Sequence, residues 1–388
     1  MKQTTIMIFI SILFILISCT SGKDNKEYVE EILKQGILEQ AVLNLQEKPV
    51  TITSFIAERS AGDNHDFYSE GDYWWPDSLN PEGPYIRLDG QTNPENFVAH
   101  RHAMIRFSSI VGNLTSAYLL TKDKKYADAV MRHVRAWFMD EETFMRPNLQ
   151  YAQAIKGVAT GRGIGIIDTV HLMEVAQSLR KLEEADVISE ADIKDSKKWF
   201  SDYLEWISTH PYGTDEMNAK NNHGTCWVMQ AAVFARYVDD VDMMKLCNDR
   251  YKDIILPDQM AEDGSFPRET ARTKPYGYSL FNLDAMATIC QTLSTATDNL
   301  WTYTVDDGRN IQKGIDFIYP YVVDKQSWPF VHDVMYWDEW PVAHPFLIFG
   351  ALQTGNQEWL STWGKLEHFP ETDEVVRNLP VRNPLLWI

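Results

Sequence analysis

Two polar segments interrupt a chain of 388 residues that otherwise reads as one apolar helix after another. The first is Asn221-Asn222-His223-Gly224, which runs straight into the apolar stretch Thr225-Cys226-Trp227. The second is Arg272-Thr273-Lys274-Pro275-Tyr276-Gly277-Tyr278. Together they supply an amide, an imidazole, a guanidinium and a phenol, the parts needed to abstract a proton from a carbon next to a carboxylate. Read alone, Asn222 is a helix N-cap and His223 an incidental first-turn residue. Both segments, however, fall at helix starts, where loops meet a bundle. The expectation is that the other helices hold them face to face across a cleft.

The elements that must do this are legible in the hydrophobic spacing. Val29, Ile32, Leu33, Ile37, Ala41 and Leu45 mark an amphipathic helix over residues 27–46. Residues 58–96 are rich in Gly and Pro and cannot form long elements, yet they carry Tyr68, Tyr73, Trp74, Trp75 and Tyr85. A loop this long in a compact protein has a function, and Trp74 and Trp75 are candidate sugar platforms or plugs for the core beneath. From Phe97 onward the pattern gives helical pairs over 97–120 and 124–138, 163–182 and 190–209, and 223–238 and 240–255. Further pairs follow over 278–295 and 309–319, and over 342–353 and 357–365. Convincing alternating strands are scarce. The expected fold is all-α, an open or closed (α/α) toroid of about six or seven hairpins, forming one domain over 27–388, with long loops making the cleft. No strict repeat supports a solenoid. The apolar end Leu385-Leu386-Trp387-Ile388 is expected to dock on the body.

Formal net charge is -19, which argues against a nucleic-acid partner. It leaves room for an anionic sugar polymer held in a locally basic cleft. Residues 1–18 read as an export signal: Lys2, an apolar run from Ile6 to Ile17, then Ser18. Leu16-Ile17-Ser18-Cys19 resembles a bacterial lipobox, which implies lipid on Cys19, a tether over 19–26, and a location in the periplasm or at the outer membrane. Membrane contact would then be through the lipid anchor alone. Cys226, Cys247 and Cys290 lie in apolar contexts and read as buried thiols, with no CxxC pair for a metal. Cys226, three residues after His223, is the one candidate thiol nucleophile.

Gly161-Arg162-Gly163-Ile164-Gly165 lacks the spacing and flanking elements of a dinucleotide loop. Its glycines suit a tight turn into a helix, leaving Arg162 near a helix start and open to an anion, with Gln150 and Gln153 close by. His100-Arg101-His102 opens a helix, where residues two apart diverge, so a metal pair is disfavoured. His102 or Arg101 could instead face an acidic substrate or solvent. Asp263, Glu269, Asp284, Asp333 and Glu339 are candidate acids for glycoside hydrolysis, but none stands in a distinctive pair. Trp328, Trp337, Trp340, His332 and His344 read mainly as core.

Asn222-His223, with Arg272 and Tyr278-Ser279-Leu280-Phe281-Asn282, resembles signatures of the alginate lyase superfamily of (α/α) toroid polysaccharide lyases. Tyr151-Ala152-Gln153-Ala154-Ile155, Gly161-Arg162-Gly163 and Tyr73-Trp74-Trp75-Pro76-Asp77 are similar to further segments of that group. The resemblance spans most of residues 70–345. It implies Asn222, His223, Arg272 and Tyr278 as catalytic residues, with Tyr276 as a rival phenol. Gln153, Arg162, Lys274, Tyr276, Trp74, Trp75 and His102 are candidate substrate contacts. No metal or cofactor is required.

The implied reaction is β-elimination at a 4-linked uronate. The C5 hydrogen is weakly acidic because the adjacent carboxylate must take on more negative charge, so preorganised donors have to neutralise that carboxylate first. Asn222, Arg272 and His223 would do so. A base then removes the C5 proton and an acid protonates O4. Tyrosine's ordinary pKa is about 10, and Arg272 and Lys274 are expected to lower that of Tyr278. In mannuronate the C5 hydrogen and O4 are syn, and one tyrosine can serve as both base and acid. In guluronate they are anti, so His223 would take the proton while Tyr278 gives one. The resulting expectation is a lyase acting on mannuronate-rich alginate. Alternatives are a lyase for glucuronan or another polyuronate, a toroid glycoside hydrolase, and a lipid-anchored glycan-binding protein.

Overall fold

The computed structural model describes residues 20–388, with side chains from Asn25 onward, so the export segment and Cys19 lie outside it. Helix α1 (Thr20–Asn44) already begins within the stretch read as a tether. Asn25 there is buried and accepts a hydrogen bond from Gln357 (3.2 Å).

The helices that follow are α2 (Ala99–Thr121), α3 (Lys124–Phe138), α4 (Leu172–Glu184), α5 (Glu190–Thr209), α6 (Pro211–Met217), α7 (Asn222–Val238) and α8 (Val241–Arg250). After these come α9 (Leu256–Gln259), α10 (Pro267–Thr270), α11 (Pro275–Leu293), α12 (Ile311–Val323), α13 (Pro345–Thr354), α14 (Gln357–Trp363) and α15 (Asp373–Asn378). They form an all-α toroid. Helices α2, α4, α7, α11 and α13 each pack against the next. Helices α7 and α11 are buried along nearly their whole length, as helices enclosed on all sides must be. Their sequence partners α3, α5, α8, α12 and α14 bury one face each, giving five consecutive pairs among the described residues. Each of these outer helices starts at a capping side chain: Asp123, Ser189, Asp240, Asn310 or Asn356 accepts a first-turn amide. Helix α1 packs on α2, and its Gly36 and Tyr28 meet Phe369 and Gly364, so it joins the two ends of the array.

The Gly/Pro-rich segment is less irregular than its composition suggests. Strand β1 (Tyr68–Glu70) pairs parallel with β4 (Tyr151–Ala154), and β2 (Trp74–Trp75) pairs antiparallel with β3 (Ile86–Arg87). These strands of two to four residues are too short to show alternation, which is why the sequence reads them as loop. The chain end docks as expected: Leu385, Leu386 and Trp387 are buried, and Gln177 and Gln291 donate to the carbonyls of Leu386 (2.7 Å) and Trp387 (2.9 Å). No helix among the described residues is long and apolar enough to cross a membrane.

Candidate active site

A cleft of about 390 Å³ opens where the starts of α7 and α11 meet the β2–β3 hairpin, the β4 segment and α15. Asn222, His223, Arg272 and Tyr278 all line it, as do Gln153, Arg162 and Trp74. Four arginines (Arg87, Arg162, Arg272, Arg377) face two aspartates (Asp72, Asp168) across it. A basic cleft thus sits on a body of net charge -19.

Each functional side chain is gripped from behind. Asn222 is buried; its backbone N–H and side-chain Nδ2 both donate to Glu269 of α10, at 2.7 and 2.6 Å. His223 donates from Nδ1 to Oε1 of Glu216 in α6 (2.6 Å), because a carboxylate oxygen can only accept, and this leaves Nε2 for the cleft. Burial disfavours the imidazolium, but the charge and hydrogen bond of Glu216 outweigh it and hold the His223 pKa above its ordinary value. Gln259 accepts from Thr225 (2.9 Å) and Asn282 (3.1 Å) and donates to the carbonyl of Asn221 (3.0 Å), pinning the α7 start to α9 and α11.

Arg272 donates to both oxygens of Asp89, at 3.3 and 3.0 Å, and to the hydroxyl of Tyr278 at 3.3 Å. Burial opposes the Asp89 charge, but Arg272 and Thr273 bring its pKa down to about 2, so the pair is ionic at any working pH. The Tyr278 hydroxyl also bonds that of Tyr73 (2.9 Å). Burial and Tyr73 together push the Tyr278 pKa up, against the pull of Arg272. The expectation of a lowered phenol is therefore reversed. Lys274 contributes little because its ammonium is buried and ion-paired with Glu374, over the faces of the Tyr73 and Tyr278 rings. A phenol held neutral is a ready proton donor.

On the other wall, Gln153 adopts a left-handed backbone (φ +49), donates to Asp168 from Nε2 (3.2 Å), and accepts from Arg162 at its carbonyl (2.8 Å) and Oε1 (3.2 Å). Arg162 stacks its guanidinium over Trp74, 5.7 Å from the ring centre. Burial, with Arg87 nearby, brings its pKa down to about 10. Beneath lies a cluster of charges: Arg101 bonds Asp72 (2.5 and 3.0 Å) and Asp168 (3.4 Å), while Arg377 pairs with Asp72 and Glu374.

Four expected contacts fall outside the cleft. Tyr276 is fully buried, donates to the carbonyl of Tyr321 (2.9 Å) and packs edge-on against Trp328, so it is no rival to Tyr278. Lys274 is taken by Glu374, as described. Trp75 points away from Trp74, as adjacent strand residues must, and donates to the carbonyl of Gln91 (3.0 Å). His102 is exposed on α2 and is not part of the lining; its neighbour Arg101 points the other way, buried against Asp72 and Asp168. His100 accepts from the amide of Tyr68 (3.0 Å) and is structural.

The candidate hydrolytic acids are committed elsewhere. Glu269 holds Asn222, Asp284 bonds His344 (2.7 Å), Asp333 accepts the amides of Tyr276 (2.8 Å) and Gly277 (2.9 Å), Asp263 bonds Ser265 (2.7 Å), and Glu339 accepts from Thr372 (2.8 Å). Cys226 is buried, with its thiol pKa pushed well up by burial and by Glu216, which removes it as a nucleophile. No cluster of three or more candidate metal ligands occurs among the described residues. Sequence reading missed Tyr73, Asp89, Glu216 and Arg377 as site residues. Tyr73 was visible as one aromatic among five and in a segment similar to the alginate lyase group, but without a role, and Glu216 sits in a short helix with no hydrophobic periodicity to mark it.

The family model described as alginate lyase matches residues 51–328. Among solved structures, an alginate lyase from Bacteroides ovatus superposes with a TM-score of 0.79 at 28% identity, covering 96% of this chain and 98% of that one. A variant of alginate lyase A1-III complexed with tetrasaccharide superposes with a TM-score of 0.58 at 14% identity, covering 89% of each chain, a likeness of fold. No curated protein sequence matches the chain.

Proposed function

Because the chain belongs to the alginate lyase family and is a polysaccharide lyase, we propose that it cleaves alginate by β-elimination, with mannuronate-rich stretches preferred. The observation that carries this reading is the meeting of Asn222, His223, Arg272 and Tyr278 in one arginine-rich cleft. A uronate carboxylate is drawn to the basic lining and neutralised by Asn222, Arg272 and a charged His223. The C5 proton then leaves to a base, its bonding electrons form the C4–C5 double bond, and the C4–O4 bond breaks as O4 takes a proton.

Mannuronate is favoured because Glu216 supports the imidazolium of His223, a form that can neutralise but cannot accept a proton. Tyr278 then handles both transfers on the syn face: its phenol first gives its proton to water, the phenolate takes the C5 proton, and the re-formed phenol passes that proton to O4. Arg272, 3.3 Å from the hydroxyl, supports its transient phenolate. Glucuronan, also syn, is the nearest alternative substrate.

Incubation with polymannuronate, polyguluronate and glucuronan tests the reading. The expected result is new reducing ends matched by ultraviolet absorbance from unsaturated ends, fastest on polymannuronate. Reducing ends without absorbance would refute elimination, and fastest turnover of polyguluronate would refute the preference.

Lipid attachment at Cys19 belongs to the same proposal and is supported by the lipobox-like Leu16-Ile17-Ser18-Cys19. Cys19→Ser should move the protein from the membrane fraction to the soluble fraction of expressing cells; an unchanged distribution would rule the anchor out.

A further inference from the structure

Glu216 is almost wholly enclosed, 1% exposed, near the end of α6. Its Oε1 takes the Nδ1 proton of His223, and its Oε2 has no hydrogen-bond partner among the described residues. Gly224, next to His223, makes the approach possible. A Cβ there would lie 2.2 Å from the carbonyl oxygen of Ala219, so only glycine lets the α6–α7 connection fold back this tightly. A buried carboxylate with a single partner depends on that partner for charge compensation. The groups facing His223 are Glu216 on α6, Glu269 on α10, Arg272 just beyond α10, Tyr278 on α11, Asp168 across the cleft, and Cys226 on its own helix. Of these, Glu216 alone hydrogen-bonds the ring.

Building on the lyase reading, we infer that Glu216 is a positioning residue that sets which uronate the site cleaves: it turns Nε2 of His223 to the substrate and governs whether that nitrogen serves as a cationic donor or as a base. With His223 charged, Nε2–H donates to the substrate carboxylate and elimination runs through Tyr278 alone, on syn uronates. With His223 neutral, Glu216 still holds the Nδ1 proton, and the Nε2 lone pair faces the cleft. Guluronate can then react: the C5 proton goes to Nε2, its electron pair forms the C4–C5 double bond, and O4 departs with the Tyr278 proton. Phenolate and imidazolium afterwards reset by proton exchange with water. Uronate preference therefore shifts towards guluronate as pH rises through the His223 ionisation, above its ordinary 6.5.

The test compares wild type, Glu216→Gln and Glu216→Asp on polymannuronate and polyguluronate between about pH 5.5 and 9, together with NMR titration of the histidine rings, the His223 signal being assigned with His223→Ala. In wild type the guluronate-to-mannuronate rate ratio should rise about tenfold across the His223 transition. In Glu216→Gln both that rise and the NMR midpoint should move down by about one pH unit or more. Glu216→Asp, which keeps the charge, should hold the midpoint above that of Glu216→Gln while lowering kcat. An NMR midpoint unmoved in folded Glu216→Gln, or an unmoved ratio in an active one, overturns the inference. A wild type that cleaves no polyuronate would refute the lyase reading instead, and the NMR arm would still decide whether Glu216 governs the ring.

Discussion

Tyr278→Phe should lower turnover by about 10³- to 10⁴-fold on every polyuronate the enzyme cleaves, while leaving the fold intact. The phenol is the one proton-active hydroxyl that touches both Arg272 and Tyr73 at the start of α11. Its neutral form, favoured by burial, is the form that protonates O4. Removing the oxygen leaves the ring stacked beneath the Arg272 guanidinium, 4.3 Å from its centre, so packing survives. Tyr276→Phe is the control. It removes one buried hydrogen bond, to Tyr321, at a cost of about 1 kcal/mol in stability, and it should leave turnover near wild type. Steady-state absorbance assays read both variants. Near wild-type turnover in Tyr278→Phe would transfer the role to Tyr73, the neighbouring phenol.

The second large effect is on stability. Asp72→Ala should cost about 3–5 kcal/mol, because it strips a carboxylate from between two guanidiniums already taken out of water. Arg101 and Asp72 are 4% and 6% exposed, and Arg377 closes on the same carboxylate from α15. Burial opposes the Asp72 charge, yet Arg101 and Arg377 hold its pKa below the ordinary 3.8. A carboxylate depressed in the folded state stabilises the fold above its unfolded pKa, and that contribution fades as pH falls through the native value. Chaotrope unfolding at neutral pH should therefore separate the variant clearly from wild type, with the gap narrowing in strong acid. A loss under about 1 kcal/mol at neutral pH would mean that Asp168 and Glu374 suffice to compensate both arginines.

Most of the scaffold was legible because it rests on periodicity. Helices α2, α3, α5, α7, α11 and α13 start and stop within a few residues of the positions their apolar spacing indicates. What escaped was short or held by tertiary contacts: the strands β1 to β4, helix α6, and α15 in a tail that reads as polar loop. The site divides along the same line. Asn222, His223, Arg272 and Tyr278 stand out because polar residues at the mouths of apolar helices are conspicuous. Glu216 and Glu269, which grip the first two, look like ordinary surface acids until the chain folds over them. Tyr276 and Tyr278 could not be separated by spacing, since a helix turns residues two apart to different sides. One went to the core beside Trp328 and the other to the cleft.

The four arginines of the cleft sit in a protein that is otherwise strongly negative. A polyanionic chain approaching the acidic body meets, on average, a field of its own sign, and within a Debye length of about 10 Å at 0.1 M salt that repulsion is not screened away. The acidic body thus works as an orientation filter: unproductive adsorption is reduced, and the arginine-lined cleft is favoured as the place where a strand engages. The same arrangement hastens departure, because each cut leaves fragments with fewer carboxylates in the cleft while the surrounding repulsion stays the same.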